Sequence, residues 1–119
     1  MTSTIAQGNA AESLACQYLE EQGLLLVERN YRCRRGELDL VMRDGAYLVF
    51  VEVRCRHDGR YGTPAETVTL TKQKRLLRAA NFYLQSRRSN APCRFDIVAI
   101  TQANGKRALE WIQNAFQAI

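Results

Sequence analysis

Two apolar segments joined at Asp44-Gly45 constrain the fold of this chain more than any other part of its sequence. Glu37-Leu38-Asp39-Leu40-Val41-Met42-Arg43 and Ala46-Tyr47-Leu48-Val49-Phe50-Val51-Glu52-Val53 flank a dipeptide favoured in tight turns, which predicts an antiparallel hairpin. With a two-residue loop at Asp44-Gly45, or a four-residue loop that adds Arg43 and Ala46, Glu37 faces Glu52 and Asp39 faces Phe50. Asp39 is then diagonal to Glu52, so three carboxylates share one face of the sheet. Leu38, Leu40, Met42, Val49, Val51 and Val53 take the other face, which must be core.

Like charges across a ladder repel, so positive charge is expected among these acids. A hard divalent ion held by carboxylates, water and substrate phosphates would supply it. Arginine would too: Arg54 extends from the same face two residues after Glu52. A solvated strand face neutralised by Arg35, Arg43 and Arg54 is the purely structural alternative.

Around the hairpin the pattern alternates between helix and strand. Ala11, Leu14, Ala15, Tyr18 and Leu19 recur at helical spacing from Asn9 to Gln22, with Gly23 as a stop. Leu24 to Arg29 reads as a short strand or extended entry, and Arg56 to Pro64 as a surface loop containing the single histidine, His57, in an exposed setting. A second helix from Lys72 to Arg87, capped by Thr71, carries the stripe Leu76, Leu77, Ala80, Tyr83 and Leu84 opposite a basic face. Arg94 to Ile100 is a strand, and Asn104-Gly105 turns it into Lys106 to Ile112, with a helical turn expected at the tail. The order α, β, β, β, α, β, β describes one mixed α/β unit, so residues 1–119 are expected to form a single domain.

Composition narrows the function classes. No apolar run approaches the roughly 20 residues of a membrane span. The polar start Met1-Thr2-Ser3-Thr4 lacks a signal-peptide pattern, so a cytoplasmic location is expected. Cys16, Cys33, Cys55 and Cys93 are scattered without a C-x-x-C pair and read as reduced structural thiols. Seventeen Lys and Arg against twelve Asp and Glu leave a net charge of +5, suited to a polyanionic partner. The arginines cluster at Arg29, Arg32, Arg34 and Arg35, at Arg54, Arg56 and Arg60, and along the second helix.

Gly36-Glu37-Leu38-Asp39-Leu40 followed by Val49-Phe50-Val51-Glu52-Val53-Arg54 resembles the D…(D/E)-x-K core of restriction-endonuclease-like nucleases. Gly8 with Glu12, Arg29-Asn30, Gly62-Thr63-Pro64, Lys72 with Lys74, and Arg94-Phe95-Asp96 extend the likeness over nearly the whole chain. Together these pieces resemble the YraN-like family of small bacterial proteins read as endonucleases. The resemblance implies a restriction-endonuclease-like core, a mixed β-sheet in α-β-β-β-α-β order with flanking helices, similar to archaeal Holliday-junction resolvases.

By position the resemblance implies that Glu12, Asp39 and Glu52 hold Mg²⁺ or Mn²⁺, with Arg54 at the scissile phosphate. It implies DNA as the partner, branched or flapped rather than sequence-specific, with a homodimer left open. Arg34, Arg35, Arg56, Lys72, Lys74, Arg75 and Arg78 are the expected contacts to the nucleic-acid backbone, whose grip should weaken with salt. The chain departs from the pattern at Arg54, where the nuclease lysine would stand. Arginine cannot act as a base, although it can orient phosphate. Lys72 or Lys74 could supply the ammonium instead, though DNA contact is the simpler role for that helix. A nuclease-fold protein that binds nucleic acid without cutting is therefore the rival reading. Asp96 could join the site or simply end its strand, and Glu37 could brace Arg54.

Overall fold

A computed structural model describes residues 4–56 and 67–117, with side chains of the first helix from Asn9 onward. The elements are α1 (Thr4–Glu21), β1 (Leu25–Cys33), β2 (Gly36–Asp44), β3 (Tyr47–Arg56), α2 (Leu70–Arg87), β4 (Cys93–Ala103) and β5 (Lys106–Phe116). The strands form one sheet in the order β1-β2-β3-β4-β5. Only β3 and β4 run parallel, because α2 carries the chain back between them; the other neighbours are antiparallel.

Each face of the sheet is covered by one helix. Ala11, Ala15, Cys16 and Leu19 of α1 pack on Leu40, Met42, Val49, Val51, Val98 and Ile100. On the other face Leu76, Ala79, Ala80 and Tyr83 of α2 pack on Val41, Leu48, Phe50, Phe95 and Ile97. Double coverage explains why β3 and β4 read as nearly continuous apolar runs. It also revises the expected one-sided core: Leu38 packs with the α2 cluster although Leu40 packs with the α1 cluster. Strict alternation therefore breaks between Leu38 and Val41, around Asp39.

Both helices end as their sequences require. At α1, Leu24 N–H bonds Leu19 O and Gly23 N–H bonds Glu20 O, each at 3.0 Å, with Gly23 at φ +100°. This double closure satisfies the last carbonyls of the helix. At the start of α2 the cap is Thr69, not Thr71: its hydroxyl accepts from Lys72 N–H at 3.2 Å, so the helix begins two residues earlier.

The hairpin register differs by two residues from the expected one. Its loop is Gly45-Ala46 and Asp44 pairs with Tyr47, which leaves Asp44 free to accept from Arg94 Nη2 at 2.9 Å. Glycine with φ +59° at the first loop position suits a type II′ turn. Glu37 therefore does not face Glu52, and Asp39 does not face Phe50. An even shift preserves the faces, and one step beyond the pair Leu40↔Val51 it brings Asp39 opposite Glu52.

Asn104-Gly105 makes the second hairpin, both residues at positive φ. β5 continues to Phe116 where a helical turn was expected, because Phe116 pairs with and stacks on Phe95. β1 likewise extends past Arg29 to Cys33, so of the first arginine cluster only Arg34 and Arg35 stand in a turn. Gly36, at φ +150°, starts β2 directly under α2: a Cβ there would lie 3.2 Å from the Arg75 carbonyl oxygen. His57, Arg60, Gly62-Thr63-Pro64 and most of the expected loop from Arg56 to Pro64 lie outside the described residues.

Candidate functional site

The β2–β3 pairing ends at Leu40↔Val51, and what replaces it is a side chain. Val53 N–H donates to Asp39 Oδ2 at 2.9 Å, so the carboxylate takes a backbone donor that a continued ladder would have used. Asp39 also shares a hydrogen bond with the Glu52 side chain. Two carboxyl groups can make that bond only if one carries a proton.

Glu52 is 6% exposed, in the middle of the sheet. Burial, the hydrogen bond to Asp39 and the charge of Asp39 push its carboxyl up to about 8, against the opposing pull of Lys72 and Arg54. Lys72 Nζ lies 3.6 Å from Glu52 Oε2. Lys72 was expected at the DNA backbone or, with Lys74 as the alternative, as the site's ammonium; the first turn of α2 sets it on the Glu52 carboxylate.

Glu12 approaches Asp39 from α1. Burial raises its pKa above the ordinary value, as do the negative charges of Asp39 and Glu37, while Arg29 and a hydrogen bond from Asn30 act against them. Its Oε2 is buried without a hydrogen-bond partner. Asn30 sits between the pairs Arg29↔Leu40 and Tyr31↔Leu38, opposite Asp39, with φ +54°. Asparagine tolerates this left-handed conformation better than most residues. Arg29 is fixed to α1 through Ser13 Oγ at 3.0 Å and Asn9 O at 3.4 Å. Glu12 on α1 and Glu52 on β3 thus both feel the charge of Asp39, which stands between them on β2.

The neighbouring residues divide by role. Arg54 interacts with Glu52, but its Nη2 also donates to Thr67 O at 3.2 Å, tying β3 to the segment before α2. Glu37, expected to brace Arg54, instead pairs with Arg32 at 3.4 Å on the surface. Asp96 does not join the site. It is fully buried and accepts from Arg94 Nε, Trp111 Nε1 and Asn114 N–H at 2.9 to 3.2 Å. The Asn114 bond supports an irregularity in β5, where three residues oppose Asp96 between Phe95↔Phe116 and Ile97↔Ile112. The described cysteines are all free thiols, and the Cys55 thiol is pushed up by burial and by Asp39 and Glu12.

A groove of about 310 Å³ runs beside Lys72, lined by Arg32, Cys33, Gly36, Glu37, Arg75 and Leu76. Arg34 and Arg35 lie exposed in the β1–β2 turn; Lys74, Arg75 and Arg78 are exposed on α2, and Arg56 is half-buried at the end of β3. Folding therefore brings Arg32 of β1 and Arg75 of α2, distant in sequence, into the lining of one groove.

The sequence reading missed Asn30 and Arg29 as neighbours of Glu12. Their only advance signal was the Arg29-Asn30 dipeptide within the family resemblance. As a host for a divalent ion, the donors are hard oxygens, and the orphaned buried Glu12 Oε2 beside Asp39 fits a cation. Among the described residues no three His, Cys, Asp or Glu side chains are grouped closely enough to enclose a metal ion. The Glu52 carboxylate is engaged instead by Lys72 and Asp39.

Glu52 has a measurable signature without metal. Its carboxyl is raised from 4.5 to about 8 in the folded chain. The stability associated with its proton is complete below the unfolded value and is lost as pH rises through the folded one. From pH 5 to pH 9 in chelator, the melting temperature of wild type should therefore fall relative to that of Glu52→Gln, by about 5 °C or more. Parallel melting curves for the two proteins across that range would refute the raised value.

No helix among the described residues is long and apolar enough to cross a membrane. The model of the family described as "Uncharacterised protein family UPF0102" matches residues 11–100, a span that contains Glu12, Asp39, Glu52, Arg54, Lys72 and Asp96. A UPF0102 protein of Nitrosococcus oceani is 49% identical over 113 residues, covering 93% of this chain and 91% of the relative. One from Stutzerimonas stutzeri is 48% identical over 120 residues, covering 99% and 100%. With this agreement along almost its full length, the chain belongs to the UPF0102 family.

Proposed function

We infer that this protein is a divalent-cation-dependent phosphodiester hydrolase acting on DNA, built on a restriction-endonuclease-like core and directed by DNA structure rather than sequence. The observation that carries this reading is the set Glu12, Asp39 and Glu52 on α1, β2 and β3, with the Lys72 ammonium on Glu52 at the rim of a cationic groove. Buried like charges are costly, and acids placed beside a phosphate-binding groove make sense where they serve chemistry. Glu12 and Asp39, with the orphaned Glu12 Oε2 between them, would hold Mg²⁺ or Mn²⁺ together with water and substrate phosphate, and the ion when bound would supply positive charge for the phosphate oxygens in the transition state.

The chain's own groups divide the remaining work. Arg75 and Arg32 flank the groove and offer guanidinium donors to a phosphodiester. A carboxyl pushed up to about 8, as at Glu52, keeps its proton at neutral pH and can give it to the leaving oxygen of the phosphodiester as a general acid. Lys72 offers the ammonium that the D…(D/E)-x-K pattern places two residues after the second acid, approaching from α2 instead of from β3. Arg54 contributes fixed charge and holds Thr67.

This division predicts unequal effects. Lys72→Ala should lower cleavage by about 10²-fold, the scale of losing one donor to developing charge, whereas Arg54→Lys should keep or increase cleavage. Single-turnover rates on one substrate decide it, and an Arg54→Lys loss larger than that of Lys72→Ala would reverse the assignment. The presence of arginine where the pattern has lysine also favours a second reading, a nuclease-fold protein that binds nucleic acid without cutting. Incubation with single-stranded, flapped and four-way DNA in Mg²⁺ or Mn²⁺ separates the two. Cutting that Asp39→Asn removes supports the hydrolase; binding without cutting by wild type on every substrate leaves the binding protein.

A further inference from the structure

On its solvent side α2 carries Arg75, Arg78, Phe82 and Gln85 at spacings of three and four residues, on one stripe beside the buried Leu76, Ala79, Ala80 and Tyr83, and Lys72, just before the stripe, turns in toward Glu52. At about 1.5 Å per residue the stripe leads some 15 Å from the Glu52–Lys72 pair to Phe82. Phe82 is 42% exposed, large for an aromatic ring with no structural partner to gain. A scattered exposed apolar side chain needs no explanation. Phe82 is different in its company: it shares one surface depression with Arg35 of the β1–β2 turn and with Arg78, Asn81 and Gln85 of α2. Neither Arg35 nor Arg78 has an acidic partner among the described residues.

We propose that Phe82 is a stacking platform for an unpaired base, so that a single-stranded segment of DNA runs along α2 from the carboxylate site to this depression. Unpaired arginines on both sides of an exposed ring match the alternation of phosphate and base along a strand. In a duplex the base faces are covered by their neighbours, so only a single strand can present one to Phe82. The Asn81 and Gln85 amides each offer donors and an acceptor, which suits any base edge and selects none. The proposal rests on the nucleic-acid reading above and adds the substrate class: DNA with a single-stranded arm.

The test measures binding in chelator, where no cleavage occurs, by fluorescence anisotropy of two labelled probes of equal length, oligothymidine and its abasic counterpart. Phe82→Ala should weaken oligothymidine binding about ten-fold, the order of one base–aromatic stack, and leave the abasic probe unchanged. Arg78→Ala should weaken both. Phe82→Trp should retain affinity and show indole fluorescence quenched by oligothymidine but not by the abasic probe. Melting curves of both variants should match wild type, since the ring is exposed. Equal losses on the two probes, no loss on either, or tighter binding of a blunt duplex than of oligothymidine would overturn the proposal while leaving the hydrolase reading intact. Wild type that binds neither probe nor duplex would overturn both.

Discussion

Asp39→Asn is expected to lower DNA cleavage by about 10³-fold or more while leaving DNA binding unchanged or tighter. The substitution keeps an oxygen that can accept from Val53 N–H, so the β2–β3 fork retains its backbone partner. It removes the charge that raises both Glu12 and Glu52. Glu52 should then titrate lower, because its hydrogen-bonded carboxyl neighbour and that neighbour's charge are both gone. Cation retention should fall, and phosphate should approach a less negative site more easily. Single-turnover cleavage and anisotropy on the same flapped DNA measure the two halves of this expectation. Wild-type cleavage by the variant would remove Asp39 from the chemistry, and lost binding would point to a folding defect instead.

The largest effect on stability is expected from a residue outside that chemistry. Asp96→Ala should destabilise the fold by about 3–5 kcal/mol, the scale for removing one partner from a buried ion pair. The change strands the Trp111 indole N–H and the Asn114 backbone N–H and takes the partner from Arg94 Nε, leaving that guanidinium with Asp44 alone. The Asn114 bond supports the β5 irregularity, so the edge of the sheet should loosen as well. Urea denaturation measures the loss directly. A variant within about 1 kcal/mol of wild type would show that these donors find water or other partners.

These two aspartates illustrate what a sequence can and cannot disclose. The hairpin strands and the helix–strand order were legible because periodicity and Asn-Gly or Asp-Gly turns encode them locally. Which side of Gly45 the turn fell on was not, since Asp44 was drawn out of the loop by Arg94, fifty residues away. Asp96 looked like a possible site acid because its motif names a residue type and says nothing of burial; three separate donors make it structural. Lys72 was visible as part of a basic helix face, but its place on Glu52 depends on how α2 sits over β3. Asn30 carried the weakest signal, because a positive φ inside a strand leaves no periodic trace.

The close approach of α2 to β2 beside the Lys72–Glu52 pair depends on a residue with no side chain. At Gly36 the β2 backbone and the α2 carbonyl of Arg75 come so near that even a methyl group would press on them. Any larger residue would act as a wedge, lifting the first turns of α2 by a few tenths of an ångström and swinging its ammonium outward. The working tolerance of the groove is therefore machined at its floor, by a residue with no acid, base or donor side chain of its own.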